Sequence, residues 1–138
     1  MGKVSVKWVE SQLMIGVDSQ GHTLAIGSWP ERDPEWAAMK ASDLLMLAAA
    51  ACSAYDVVMI LRKQKADLVD FEVDVTGEQE PEPPNRFTKI HMLYRFKGDL
   101  DEGKVRKAIA LSEDKYCSII CTLRPAVEFS NSIEISVV

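Results

Sequence analysis

Between residues 3 and 9, Val4, Val6 and Trp8 alternate with Lys3, Ser5 and Lys7, the period of two expected of a strand with one buried face. Two more apolar runs, LMIGV at 13–17 and TLAIG at 23–27, flank the turn-forming DSQG, so the chain opens with a predicted β-meander. From Ser42 the pattern changes. SDLLMLAAAACSAYDVVMILRKQKA contains no Gly or Pro, is rich in Leu, Ala and Met, and begins with a capping serine followed by an acid, which predicts a long helix ending near Lys65. Residues 68–79 alternate Phe71, Val73 and Val75 with Glu72, Asp74 and Thr76. Residues 87–98 place Ile90, Met92, Tyr94 and Phe96 on one face. The proline-rich EPEPPNR between them then joins the arms of a long hairpin. Asp101 is placed to cap a helix carrying Val105, Ala108, Ile109 and Ser112 on one face and ending near Lys115. YCSIICTL predicts a short helix stopped by Pro125, and Ile133, Ile135 and Val137 close the chain as a strand. The order β-β-β-α-β-β-α-α-β predicts an α+β fold with a largely antiparallel sheet, as one domain over residues 1–138.

Leu44–Leu61 is apolar almost all round, whereas a helix at a protein surface shows a polar face. The segment is short for a bilayer, carries Asp56 in its body and has no second span to pack with. Burial on all sides, partly by a second subunit, is therefore expected. The N-terminal stretch alternates apolar and polar residues where a signal peptide needs a continuous apolar run, so a soluble cytoplasmic protein is expected. In SWPERDPEWAAMKAS, Trp29 and Trp36 read as hydrophobic cover within an ordered loop.

Composition narrows the chemistry. At 138 residues, 47% hydrophobic and 27% charged, the chain is an ordinary globular one. Its 16 basic and 21 acidic residues give a net charge of −5 with no basic run, which argues against nucleic acid as a partner. Three cysteines are too few for a stapled secreted fold, and in a reducing compartment a disulfide would be transient and catalytic. His22 and His91 lack the spacing of a metal site, and no phosphate-binding Gly-rich loop or G-x-S-x-G elbow is present.

Two segments carry a resemblance that spans nearly the whole chain: SDLLMLAAAACSAYDVVMILRK, with Cys52 after a run of small residues, and LSEDKYCSIICTL, with Cys117 shortly after the penultimate helix. In this order of elements the sequence resembles the OsmC/Ohr family, and CSAYDVVMILRK looks most like a branch described only as redox-related. The resemblance implies an OsmC-like fold, a curved antiparallel sheet around a long central helix, assembled as an intertwined homodimer with active sites at the subunit interface. It further implies that Cys52 is the peroxidatic thiol and Cys117 the resolving one. No cofactor is implied, only an external dithiol electron donor.

The thiolate of such a pair attacks the O–O bond of a peroxide, leaving a sulfenic acid that the second thiol converts to a disulfide. Apolar surroundings would favour organic hydroperoxides. Activation of Cys52 requires a cation or hydrogen bonds, because at ten residues past Ser42 it lies roughly 15 Å from the helix start, beyond the reach of the dipole. In the family's hydroperoxide reductases an N-terminal arginine and a glutamate ten residues before the cysteine serve this purpose. Here Ser42 occupies the latter position, Asp43 follows it, and the first arginine is Arg32. Arg32, Lys40 or Arg124 could substitute. Asp56, four residues after Cys52, would raise the thiol's pKa unless a cation pairs with it. Cys117 is placed to start a short helix, where its own thiolate would be favoured and the two roles reversed. Cys121, on the same helical face as Cys117, reads as core, its other reading being a competing resolving thiol. The alternative to a peroxidase is a non-catalytic dimer of the same fold that binds a hydrophobic small molecule or a protein partner.

Overall fold

The computed structural model describes residues 2–27, 31–35 and 37–138; Trp29 and Trp36, read as hydrophobic cover, lie outside them. The described elements follow the expected order, and the chain divides into two compact units, Met1–Leu45 and Met46–Val138.

The first unit is an antiparallel meander of β1 (Ser5–Glu10), β2 (Leu13–Val17) and β3 (Thr23–Ile26). The β2–β3 turn is closed by Asp18, whose Oδ1 accepts from the backbone N–H groups of Gln20 and His22 at 2.8 Å each, with Gly21 in the left-handed region at φ 91°. The expectation of a half-buried β1 is corrected: Val4, Val6 and Trp8 are 71%, 63% and 63% exposed. Among the described residues β1 is an edge strand bonded only to β2. A sheet alone buries neither of its faces; a second layer must do so.

Helix α1 (Ala41–Lys63) starts one residue before the expected cap, with the amides of Asp43 and Leu44 bonded to the carbonyl of Lys40. Its composition and length would suffice to cross a membrane. Ala49, Ala50, Ser53, Val57 and Leu61 form a buried stripe, while Leu47, Ala51, Tyr55 and Met59, four apart on the opposite side, are exposed. Burial on all sides is thus not achieved within the chain.

In the second unit, β4 (Asp67–Gln79), β5 (Phe87–Asp99) and β6 (Glu128–Ser136) form a sheet in that order. The β4–β5 pairing is antiparallel and β5–β6 is parallel. The parallel return is made through α2 (Glu102–Leu111), a π-helical turn (Ser112–Tyr116) and α3 (Ser118–Leu123). Asp101 caps α2 as expected, its side chain accepting from the Lys104 amide. The inner face of β5 supplies Ile90, Met92, Tyr94 and Phe96, all buried, against Val57 and Leu61 of α1 and Val105, Ala108 and Ile109 of α2. The rings of Phe71 and Phe96 stack at 4.6 Å across the β4–β5 ladder. The outer face is polar, with Arg95 paired to Glu72 and Asp74.

Candidate functional site

Cys52 and Cys117 are brought together in the second unit. Cys52 lies half-buried on α1 and packs against the core; Cys117 is fully buried between the π-helical turn and α3. Cys117 caps α3, its sulfur accepting from the Ile120 amide at 3.4 Å. The thiols are hydrogen-bond neighbours. Burial pushes the Cys117 thiol up to about 12, the bond to Ile120 lowers it only in part, and the adjacent Cys52 raises it further. The expectation that a helix start would favour a Cys117 thiolate is therefore reversed, because desolvation outweighs one turn's worth of amide dipoles. Cys121, expected in the core, is exposed, with its S–H directed at the Glu113 carbonyl at 3.5 Å.

Beside the thiols runs a buried chain of polar groups. Ser112 Oγ donates to Asp56 Oδ2 at 2.9 Å and lies 3.1 Å from Ser53 Oγ. Ser53 Oγ and Tyr94 OH are 2.7 Å apart, and Tyr94 OH donates to Glu113 Oε1 at 3.1 Å. Asn131 Nδ2 donates to Glu113 Oε2 at 2.7 Å. Ser53, Ser112, Tyr94 and Glu113 are all buried. Burial raises the Glu113 carboxyl above its ordinary 4.5, against the lowering effect of its bonds to Asn131 and Tyr94 and of the Arg124 charge. Burial likewise raises Tyr94. The π-helical turn permits this arrangement, since its wider coil turns both Ser112 and Glu113 inward and lets the Cys117 amide reach the Ser112 carbonyl at 2.7 Å.

Of the remaining candidates, Asp56 joins this cluster through Ser112. Arg124 lies on the same unit but pairs with Asp114 at 2.9 Å. Arg32, Ser42 and Asp43 belong to the first unit. Among the described residues no cluster of three or more His, Cys, Asp or Glu side chains could hold a metal. Both nitrogens of His91 are engaged by Ser130 and Ser132, at 2.7 and 2.9 Å.

Sequence reasoning missed Glu113, Tyr94 and Asn131. A signal existed for Asn131, which interrupts the apolar series Phe129, Ile133, Ile135 on the inner face of β6 and sits opposite Met92 in the ladder. A polar residue placed on a core face needs a partner.

A family model described as OsmC-like protein matches residues 33–132. The YhfA protein of Escherichia coli K12 is 37% identical over 132 residues, covering 94% of this chain and 95% of its own. An OsmC-like protein of Mycoplasma pneumoniae superposes with a TM-score of 0.84 at 13% identity, covering 99% of this chain and 97% of its own. The organic hydroperoxide resistance protein OhrB of Bacillus subtilis does so with a TM-score of 0.68 at 14% identity, over 97% and 98% of the two chains.

Proposed function

The chain belongs to the OsmC-like family, and from that premise we propose that it is a thiol peroxidase that reduces organic hydroperoxides, with Cys52 as peroxidatic and Cys117 as resolving residue. The observation that carries the reading is the adjacency of two free thiols in a largely apolar setting. The half-buried Cys52 is open to attack on a peroxide. The sealed Cys117, fully buried beside it, is left for the second step, in which it must first give up its proton. In this reading Cys52 sulfur takes the terminal peroxide oxygen, the O–O bond breaks, and the departing alkoxide is protonated to the alcohol. Cys117 then displaces the sulfenic hydroxyl as water, and an external dithiol reduces the disulfide by exchange. The functional unit proposed is a cytoplasmic homodimer, in which a second copy covers the exposed Leu47–Tyr55–Met59 stripe of α1.

A cleft of about 440 Å³ lined by Asp56, Met59, Ile60, Leu111 and Tyr116 favours the second reading, a non-catalytic dimer that binds a hydrophobic small molecule. Titration with cumene hydroperoxide separates the two. Under the peroxidase reading wild type loses two thiols and two hydrogens in mass. A trapping reagent for sulfenic acid then labels Cys117→Ser and not Cys52→Ser. Thiols that all survive stoichiometric peroxide would leave the binding reading standing.

A further inference from the structure

We propose that Asp56 and Glu113 share a single proton through the buried hydroxyls of Ser112, Ser53 and Tyr94, and that this chain moves the protons of disulfide formation. The inference rests on reading Cys52 and Cys117 as a redox pair. Four oxygen–oxygen contacts link the two carboxyls, at 2.9, 3.1, 2.7 and 3.1 Å. Three hydroxyls supply only three hydrogens. With both carboxyls ionised, one contact would have two buried oxygens facing each other with no hydrogen between them, a costly arrangement away from water.

One additional proton completes the chain, and it fits at either end. When Glu113 holds it, every hydroxyl points towards Asp56; when Asp56 holds it, every hydroxyl points towards Glu113. Passage between the two states requires hydrogens to shift along four bonds with no heavy atom displaced. Asn131 donates to the other oxygen of Glu113 in both states.

The ends of the chain reach different places. Asp56 is one turn beyond Cys52 on α1, and its cleft also contains Lys63 and Tyr116. Glu113 opens on a separate cleft of about 280 Å³ that holds Arg106 of α2 and Asp114 of its own turn. Arg124, after α3, acts on Glu113 at longer range, and Tyr94 and Asn131 face it from β5 and β6. Cys117 is tied to the middle of the chain, by its amide to the Ser112 carbonyl and by the effect of its charge on Tyr94.

Disulfide formation needs such a device. The Cys117 S–H bond breaks, its sulfur bonds to Cys52, and the Cys52 S–O bond breaks with its electron pair leaving as hydroxide. The sulfenic acid is the oxidant, Cys117 is oxidised, and the product is one disulfide and one water. The proton leaves on the Cys117 side and is needed at the hydroxide on the Cys52 side. Asp56 delivers the shared proton to the hydroxide, and the proton lost by Cys117 enters at Tyr94, the hydroxyl on which the Cys117 charge acts, restoring the fourth hydrogen of the chain.

The test compares wild type, Glu113→Gln and Ser53→Ala, oxidised by cumene hydroperoxide and separately by diamide, which drives disulfide formation without any peroxide. Disulfide formation is followed by mass and by trapping of sulfenic acid. The expected result is a slowing of about a hundredfold or more in both variants with both oxidants, sulfenic acid trapped on Cys52 after peroxide, and, in Glu113→Gln, a pH profile that loses the limb lying above the ordinary carboxyl range. Wild type, which needs no variant to fold, is expected to slow in D₂O because several hydrogens move together. Unchanged rates and pH profile in both variants, or no solvent isotope effect in wild type, would overturn the proposal. If wild type ignores peroxide but diamide produces the expected slowing, the chain stands and the peroxidase reading alone fails.

Discussion

The first strand of one sheet and the first two strands of the other carry the same alternation and meet different fates. β1, β2 and β3 contain no fully buried residue, whereas β5 alone contributes Ile90, Met92, Tyr94 and Phe96 to the core. In the second unit α1 and α2 pack on the sheet, whereas Val6 and Trp8 of β1, with Val4 just before it, are exposed. Alternation states that a strand has an apolar face; it does not state what covers it.

The largest effect is expected where the cover is complete. Met92→Ala empties a fully buried position and should cost about 3 kcal/mol, read as a lowered urea midpoint. A cost below 1 kcal/mol would mean that the second core is looser than its packing suggests.

Next comes a change within that same core that should have the opposite sign. Glu113 titrates above its ordinary 4.5, so the folded state binds a proton that the unfolded state releases. Its contribution is present below 4.5 and is lost as pH rises through the folded-state value. Glu113→Gln removes this dependence. Relative to wild type the variant should gain about 1.4 kcal/mol for each pH unit between the two values, measured as urea midpoints across a pH series. Parallel midpoint curves would show that Glu113 has an ordinary titration.

The smallest effect belongs to the first sheet. Val6→Ser and Trp8→Ser should each change stability by less than about 0.5 kcal/mol where the chain is monomeric. A cost that rises with protein concentration until it is comparable with that of Met92→Ala would show that a second copy buries β1.

How much of this could be read beforehand follows the same division. Element order, the inner face of β5 and the Asp101 cap were legible because each rests on local spacing and chemistry. Ser112 was even placed on the apolar face of its helix, in series with Val105 and Ile109, yet its reason for being there was not. That reason is Asp56 and Ser53, 56 and 59 residues away, and no local pattern encodes such a separation. The exposure of β1 was misread on the same ground. The thiol pair was found through its likeness to a family; the hydroxyl chain beside it has no comparable signature, since Ser, Tyr and Glu are ordinary residues until the fold aligns them.

The π-helical turn at Ser112–Tyr116 holds one more residue in its loop than an α-helical turn would. In evolutionary terms it is a phase setting. A relative lacking one residue here could retain every thiol, hydroxyl and carboxyl of the site by identity and still rotate Glu113 away from Tyr94. Sorting relatives by the length of this turn, before comparing any single position within it, would divide those able to inherit the chain from those that only share its letters.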